Sequence, residues 1–504
     1  MSKEIKVIVN GRETSALPGM TLSEIIRGEK PCGGHGKCGK CRVVAKGALS
    51  EVSDAELKML STDEIVSGMR LACLTRALGD CEIATLTQIA QSHIVTEGEL
   101  PEFEIKPCFK KYGVAIDVGT TTLAARLYDT EGRMIGDTAR LNPQSEWGAD
   151  VISRIEAAMG GSSKDLAASV RGALNEMLST LSADAEIDPL DIDGVVITGN
   201  TVMLSLLSCE DVEPFSHAPF EAKRLFGESV LARELELSCL ASDTAIYLPP
   251  CISAFVGADT TCAILATELC DGDTAMLADI GTNGEIAIRH AGRLTVCSTA
   301  AGPAFEGVGI TMGMRGADGA IDKVSVVDGQ LSAHVIGEGE PVGICGSGLV
   351  DAVAVMLELE AIDEVGYLEE DEFVIKAPVC ITPKDIRMLQ LAKSAICAGI
   401  VTLIKNENVK ESDIAVLCIA GGFGNYLNKE SAAVIGLLPR ELAEKSRSVG
   451  NAALGGASML LLNADIKEKA EKIAKTSISL DLSTDPVFSE QYMSGMMLEE
   501  IKCC

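Results

Sequence analysis

Val114-Ala115-Ile116-Asp117-Val118-Gly119-Thr120-Thr121-Thr122 is an apolar run that stops on a carboxylate, a glycine and three hydroxyls. It reads as a strand leading into a tight turn. The glycine lets backbone N–H groups approach phosphate oxygens, and Thr120, Thr121 and Thr122 add further donors. Asp117 suits Mg2+, directly or through water, because a hard cation takes oxygen ligands. One such turn is common. Here the chemistry recurs in Met276-Leu277-Ala278-Asp279-Ile280-Gly281-Thr282-Asn283-Gly284-Glu285-Ile286. Asp279 takes the part of Asp117, and Gly281, Thr282, Asn283 and Gly284 that of Gly119 to Thr122. Two facing Gly-Thr hairpins grip a polyphosphate and its metal between two lobes. Asp117 and Asp279 are then the candidate catalytic carboxylates.

Two more segments fit this plan. Leu417-Cys418-Ile419-Ala420-Gly421-Gly422-Phe423-Gly424-Asn425 is a buried strand running into a Gly-Gly turn. Gly421, Gly422, Phe423 and Gly424 offer flat contact to a nucleoside. Val449-Gly450-Asn451-Ala452-Ala453-Leu454-Gly455-Gly456-Ala457 reads as a helix whose small residues pack closely at a hinge. From Tyr112 onward strands alternate with helices, which predicts α/β layering. No G-x-x-x-x-G-K-[ST] pattern occurs, so a P-loop ATPase is disfavoured.

In this order the four segments resemble the acetate and sugar kinase, heat-shock chaperone and actin superfamily over residues 112–504. They match its first phosphate, second phosphate, adenosine and second connecting motifs. Ile197-Thr198-Gly199-Asn200-Thr201 takes the place of the first connecting motif. The resemblance implies a two-lobed, actin-like ATPase with ribonuclease H-like lobes, the second from about residue 276, using ATP and Mg2+. Other features weigh evenly between cleft lining and plain packing: the loop Ala301 to Gly307 and the helix start Cys345 to Asp351. Asp259 fits a helix N-cap better than a water-polarising base.

The N-terminal part carries different chemistry. Ile5 to Val9 alternates as a strand, Asn10-Gly11 signals a hairpin, and Thr21 with Glu24 forms a capping box. Then comes Cys32-Gly33-Gly34-His35-Gly36-Lys37-Cys38-Gly39-Lys40-Cys41, with Cys73 following at a distance. Glycines allow a backbone to wrap a metal cluster and turn its amides toward sulfur. Cys32, Cys38, Cys41 and Cys73 suit a [2Fe-2S] cluster of the plant-type arrangement. Zinc is the competing metal. Cys81 rivals Cys73, but it fits a following strand. A Rieske-type role for His35 lacks the second histidine. Residues 1–87 resemble the β-grasp [2Fe-2S] ferredoxins, which implies one-electron transfer. Residues 88–111, polar and acidic, read as a linker.

The 504-residue chain has a net charge of −30, and aromatic residues are only 3%. Such a surface repels phosphate backbones and anionic membranes, so nucleic acid and membrane are excluded as partners. No apolar segment follows the N-terminal methionine, and no 18-residue apolar stretch is apparent. A cytoplasmic protein is expected. Its 18 cysteines then point to metal binding or burial rather than to disulfides.

A cluster domain fused to a nucleotide clamp resembles one family, the ATP-dependent reductive activators of corrinoid proteins. The resemblance implies that an electron passes from the [2Fe-2S] cluster to the Co(II) corrinoid of a methyltransferase-system protein, restoring Co(I). It also implies a low-potential electron donor, and in some members a homodimer. The chain lacks the D-x-H-x-x-G cobalamin signature, so the corrinoid belongs to the partner. Members often carry a middle domain after the ferredoxin, whereas here only residues 88–111 intervene. Two alternatives share these sites: an ATP-gated donor to another low-potential metalloenzyme, and a non-enzymatic redox-sensing nucleotide switch.

Overall fold

The computed structural model of the protein describes residues 5–9, 12–26, 36, 39, 41–60, 62–66, 68–85, 100–269 and 271–501. They fall into two compact units, residues 1–92 with 143–169 and residues 93–142 with 170–504.

In the first unit, β1 (Ile5–Val9), β2 (Arg12–Ala16), β3 (Arg42–Leu49), β4 (Met69–Leu71) and β5 (Ala77–Thr85) form one mixed sheet, ordered β2-β1-β5-β3-β4. β1 pairs antiparallel with β2 and parallel with β5. The alternation along β1 buries Val7 against Leu22, Val43, Ala77 and Ile83. The expected capping box opens the helix Leu22–Ile26. Glu24 N–H donates to Thr21 Oγ1 at 3.3 Å, and Thr21 N–H to Glu24 Oε2 at 2.6 Å. Asn10-Gly11 lies outside the described residues.

A buried ion pair braces the segment after β4. Arg70 Nε donates to Glu56 Oε1 at 3.0 Å, joined by the Thr75 hydroxyl at 2.8 Å and Leu71 N–H at 3.2 Å. Burial pulls the Glu56 carboxyl up, but these donors and Arg70 outweigh it and hold the group at about 2. Residues 143–169 group with this unit. They close on themselves: buried Arg154 donates to Gly148 O at 3.0 Å and Gln144 to Leu166 O at 3.0 Å.

The second unit holds two six-stranded sheets. The first contains β6 (Tyr112–Val118), β7 (Thr122–Asp129), β8 (Met134–Leu141), β9 (Ile192–Gly199), β10 (Glu228–Leu231) and β11 (Ala245–Leu248), ordered β10-β11-β9-β6-β7-β8. The second begins with β12 (Ala275–Ile280), β13 (Gly284–His290) and β14 (Arg293–Thr299). A small sheet of β15 (Ala320–Val327), β16 (Gln330–Val335) and β17 (Gly343–Ile344) and a hairpin of β18 (Phe373–Lys376) and β19 (Val379–Ile381) follow. β20 (Leu417–Ala420), β21 (Ser446–Gly450) and β22 (Ile478–Ser479) complete the second sheet as β21-β20-β12-β13-β14-β22. Each sheet starts with a three-strand antiparallel meander. A later strand then runs parallel to its first strand, β9 along β6 and β20 along β12, with one more parallel strand outside. The Asp-x-Gly-Thr echo is thus a repeated topology.

The helices Ala258–Ala266 and Ala452–Leu462 join the two sheets in one core with Ala115, Val196, Leu277 and Val296. A Cβ on Gly456 would lie 2.0 Å from the Cys262 carbonyl oxygen, so only glycine fits this crossing. The partner of Ala452–Leu462 is therefore the Asp259 helix. Ile197 to Thr201, expected to be the first connecting motif, form the end of β9 and the start of the helix Thr201–Leu207.

Two further expectations change. The second half of the expected linker is fixed, with Lys106 and Cys108 N–H donating to Leu462 and Leu461 carbonyls at 2.8 and 2.9 Å. The helix Pro383–Asn406 is long and apolar enough to cross a membrane by length and composition, yet 83% of its most apolar stretch is buried. Lys393 interrupts that run in the sequence. In the fold it is buried and donates to the Met497 carbonyl, while its neighbours pack into the second lobe's core.

Candidate functional site

Strand ends from both sheets of the second unit converge on a cleft of about 280 Å³. Asp117, Gly119, Thr120, Thr121 and Thr122 line it from β6 and its turn, and Asp279, Gly281, Thr282 and Asn283 from β12 and its turn. Gly421, Gly422 and Phe423 follow β20 into the same space. Gly284 and Gly424 were expected there but do not line it. Gly284 packs under Ile396, and Gly424 against Ile419, so their lack of a side chain serves packing.

Side-chain amides hold the first loop. Asn142 Nδ2 donates to Gly119 O at 2.8 Å, and Asn200 Nδ2 to Thr120 Oγ1 at 3.1 Å. Asn451 caps Ala452–Leu462 and donates to Asp117 Oδ2 at 3.0 Å. The turn after β20 passes so close to β12 that a Cβ on Gly421 (φ +91) would sit 2.8 Å from Ile280 O and 3.1 Å from Asp279 Oδ1.

Four carboxylates share the cleft: Glu285, which is buried, and Asp117, Asp259 and Asp279, which are half-buried. Burial pushes Asp117 up to about 7, with the Asn451 amide opposing and Asp259 adding to the rise. Burial, then Asp259 and Asp117, raises Asp279 to about 7. Burial also lifts Asp259 to about 6 against the Thr260 N–H, and Glu285 rises well above its ordinary value. Crowded acids of this kind regain their charge beside a cation. No three His, Cys, Asp or Glu side chains converge on one point among the described residues. A cation here would keep water or phosphate oxygens in its shell, as Mg2+ does.

Sequence reading missed several members. Glu285 stands opposite Asp279 in the β12–β13 register, so reading the Gly-Thr-Asn-Gly turn as a hairpin would have found it. Asp259 is no N-cap: Gly257 is, and Asp259 lies in the helix's first turn, facing the cleft. Phe305, Glu306 and Arg315 come from the loop weighed between lining and packing and from its continuation. Phe305 stacks on Phe423 with centroids 4.6 Å apart. Cys345, Gly346 and Ser347 line the cleft at the start of the helix Gly346–Glu358.

In the first unit Cys41 and Cys73 bring their Sγ atoms to 3.2 Å, and Cys73 N–H points at Cys41 Sγ at 3.4 Å. The Cys73 thiol, against the pull of burial, lowers Cys41 to about 7. Cys81 is buried on β5, where burial pushes its thiol up. Cys73, not Cys81, therefore stands beside Cys41. Cys32 and Cys38 lie outside the described residues.

Comparison with known proteins completes the assignment. The family model for the RACo middle region matches residues 112–271, and that for the C-terminal ASKHA domain of RACo matches 273–503. The corrinoid activation enzyme RamQ of Eubacterium limosum is 36% identical over 417 residues, which is 77% of this chain and 70% of that protein. The chain belongs to the reductive activators of corrinoid proteins. Another relative of this activator is the reductase of the Co(II) methylated amine-specific corrinoid protein of Methanosarcina barkeri. It is 28% identical over 430 residues, 77% of this chain and 78% of that protein. The solved structure of a reductive activator for a corrinoid, iron-sulfur protein superposes with a TM-score of 0.73 at 29% identity, covering 99% of each chain. The activators' middle region is thus not missing here. It is residues 112–271, the stretch that carries the first six-stranded sheet.

Proposed function

We propose that this activator transfers one electron from a [2Fe-2S] cluster to the Co(II) corrinoid of a methyltransferase-system protein, regenerating Co(I), and that ATP with Mg2+ drives the transfer. The observation that carries this reading is that one chain combines two kinds of site. It has a cleft with two Gly-Thr loops and clustered carboxylates, and a pair of thiols 3.2 Å apart beside a glycine-rich segment.

The first unit is read as a β-grasp ferredoxin, with Cys41 and Cys73 holding the cluster together with Cys32 and Cys38. The cluster supplies a one-electron carrier, refilled by a low-potential donor. The paired sulfurs suit it, because a lowered thiol pKa provides the thiolate that iron needs. In the cleft, Thr121 and Thr282 donate to phosphate oxygens, and Asp117 and Asp279 orient the Mg2+ shell. The Gly421-Gly422-Phe423 turn lies along the nucleoside. Asp259, which raises both aspartates, would be the group placed to take the proton of the attacking water. Free cysteines throughout the described residues suit a reducing, cytoplasmic setting.

The test mixes the anaerobically reduced protein with a Co(II) corrinoid protein from the same cell and follows the Co(I) absorption band. Co(I) that appears only with MgATP is the expected result. No Co(I), despite a reducible cluster and ATP hydrolysis, would move the assignment to another low-potential acceptor or to a redox-sensing switch.

A further inference from the structure

The cleft already contains an anion. Glu306 Oε2 accepts from Thr121 Oγ1 at 2.7 Å and Glu306 Oε1 from Thr282 Oγ1 at 3.2 Å, the two hydroxyls being 3.3 Å apart. One carboxylate thus engages a hydroxyl from each Gly-Thr loop and ties the two lobes together. Nothing in the proposed electron transfer or hydrolysis uses it.

We propose that Glu306 is a resident phosphate mimic: it latches the nucleotide-free cleft, and a nucleotide polyphosphate must expel it to bind. The proposal rests on the reading of the cleft as an ATP site. Three observations support it. Each threonine hydroxyl has one proton to donate, so a phosphate oxygen cannot receive it while Glu306 does. The cleft is lined by Asp117, Asp259, Asp279 and Glu285 besides Glu306, with Arg315 as its one cation among the described residues. A further anion beside Glu306 in such a buried space is strongly repelled. Finally, the segment is bracketed for movement. Gly302 (φ +77) and Gly307 (φ +76) flank the single helical turn Pro303–Glu306. Phe305, next to the latch, stacks on Phe423, so release at the phosphate end is felt at the nucleoside wall.

A residue that merely tuned hydrolysis would leave nucleotide affinity unchanged. A latch changes affinity in a definite direction. Calorimetric binding of MgADP and of a non-hydrolysable MgATP analogue to the full chain compares wild type, Glu306→Ala and Glu306→Gln. The alanine variant is expected to bind about tenfold tighter, since a charge-assisted competitor is removed. The glutamine variant, which keeps one acceptor, gains less. In hydrogen exchange, amides of residues 304–307 are expected to exchange faster when nucleotide is added to wild type, and already fast without it in both variants. Should the alanine variant fail to fold, the glutamine variant and wild-type exchange carry the test. Unchanged or weaker affinity in the variants, with wild type binding normally, overturns the latch alone. No nucleotide binding by wild type overturns the reading of the cleft together with it.

Discussion

The two sheets of the second unit share the order of five strands but meet the cleft with different chemistry. Across the β6–β7 hairpin Asp117 stands opposite Ala124, whereas across β12–β13 Asp279 stands opposite Glu285. The first turn brings one carboxylate, restrained by the Asn451 amide, and three threonines. The second brings two carboxylates and one threonine. Repetition of the backbone supplies two matching turns, and side-chain divergence divides the work between them. The second lobe carries the denser negative charge, so the proposed Mg2+ would sit on its side. The first is richer in donors for phosphate. Asp259 raises both aspartates and so couples them.

The division makes unequal losses the largest expected effect. Asp279→Asn should reduce ATP hydrolysis by about 10³-fold and Asp117→Asn by about 10²-fold, each with the cluster's visible spectrum unchanged. Equal losses in steady-state ATPase assays would break the comparison. At the joint between the lobes, Gly456→Ala should destabilise the protein by about 2–3 kcal/mol, because its Cβ meets the Cys262 backbone. Gly455→Ala, whose Cβ would lie 3.4 Å from Ala266, should be close to neutral. Thermal or denaturant unfolding separates the two.

The raised carboxyls sharpen the comparison further. Asp117 and Asp279 bind their protons more tightly folded than unfolded, so without metal the fold is favoured while they are protonated. Stability then falls as pH rises from about 4 through about 7. Mg2+ should offset that loss. Its increase in Tm should be about 5 °C larger at pH 8 than at pH 5.5, and Asp279→Asn should remove more of that increment than Asp117→Asn. The smallest effect belongs to the hydroxyls. Thr121→Val and Thr282→Val should each weaken MgADP binding only about threefold. Each hydroxyl serves Glu306 in the empty cleft as well as phosphate in the filled one, so much of its loss cancels.

Legibility followed the same physical lines. β6, β12 and β20 were readable because apolar runs ending in Asp or Gly-Gly, each common alone, recur together along the chain. The Thr21–Glu24 capping box was readable because its partners are three residues apart. Glu285 was overlooked because cross-strand register, not sequence distance, puts it opposite Asp279. Glu306 was overlooked because its partners, Thr121 and Thr282, are remote in sequence. Gly284 and Gly424 were overread, since a glycine required for packing looks the same in sequence as one that faces a ligand.

By itself, the sequence determined the two classes of chemistry: thiol spacing suited to a cluster and a doubled Asp-x-Gly-Thr turn suited to a polyphosphate. Residue type and short-range spacing suffice for that. Only the tertiary structure decided which groups share a site. It packed the Asp259 helix against Ala452–Leu462 and brought Glu285 opposite Asp279. It also placed Glu306 between the two loops. Those choices depend on strand register, helix crossing and burial, which are properties of residues far apart along the chain.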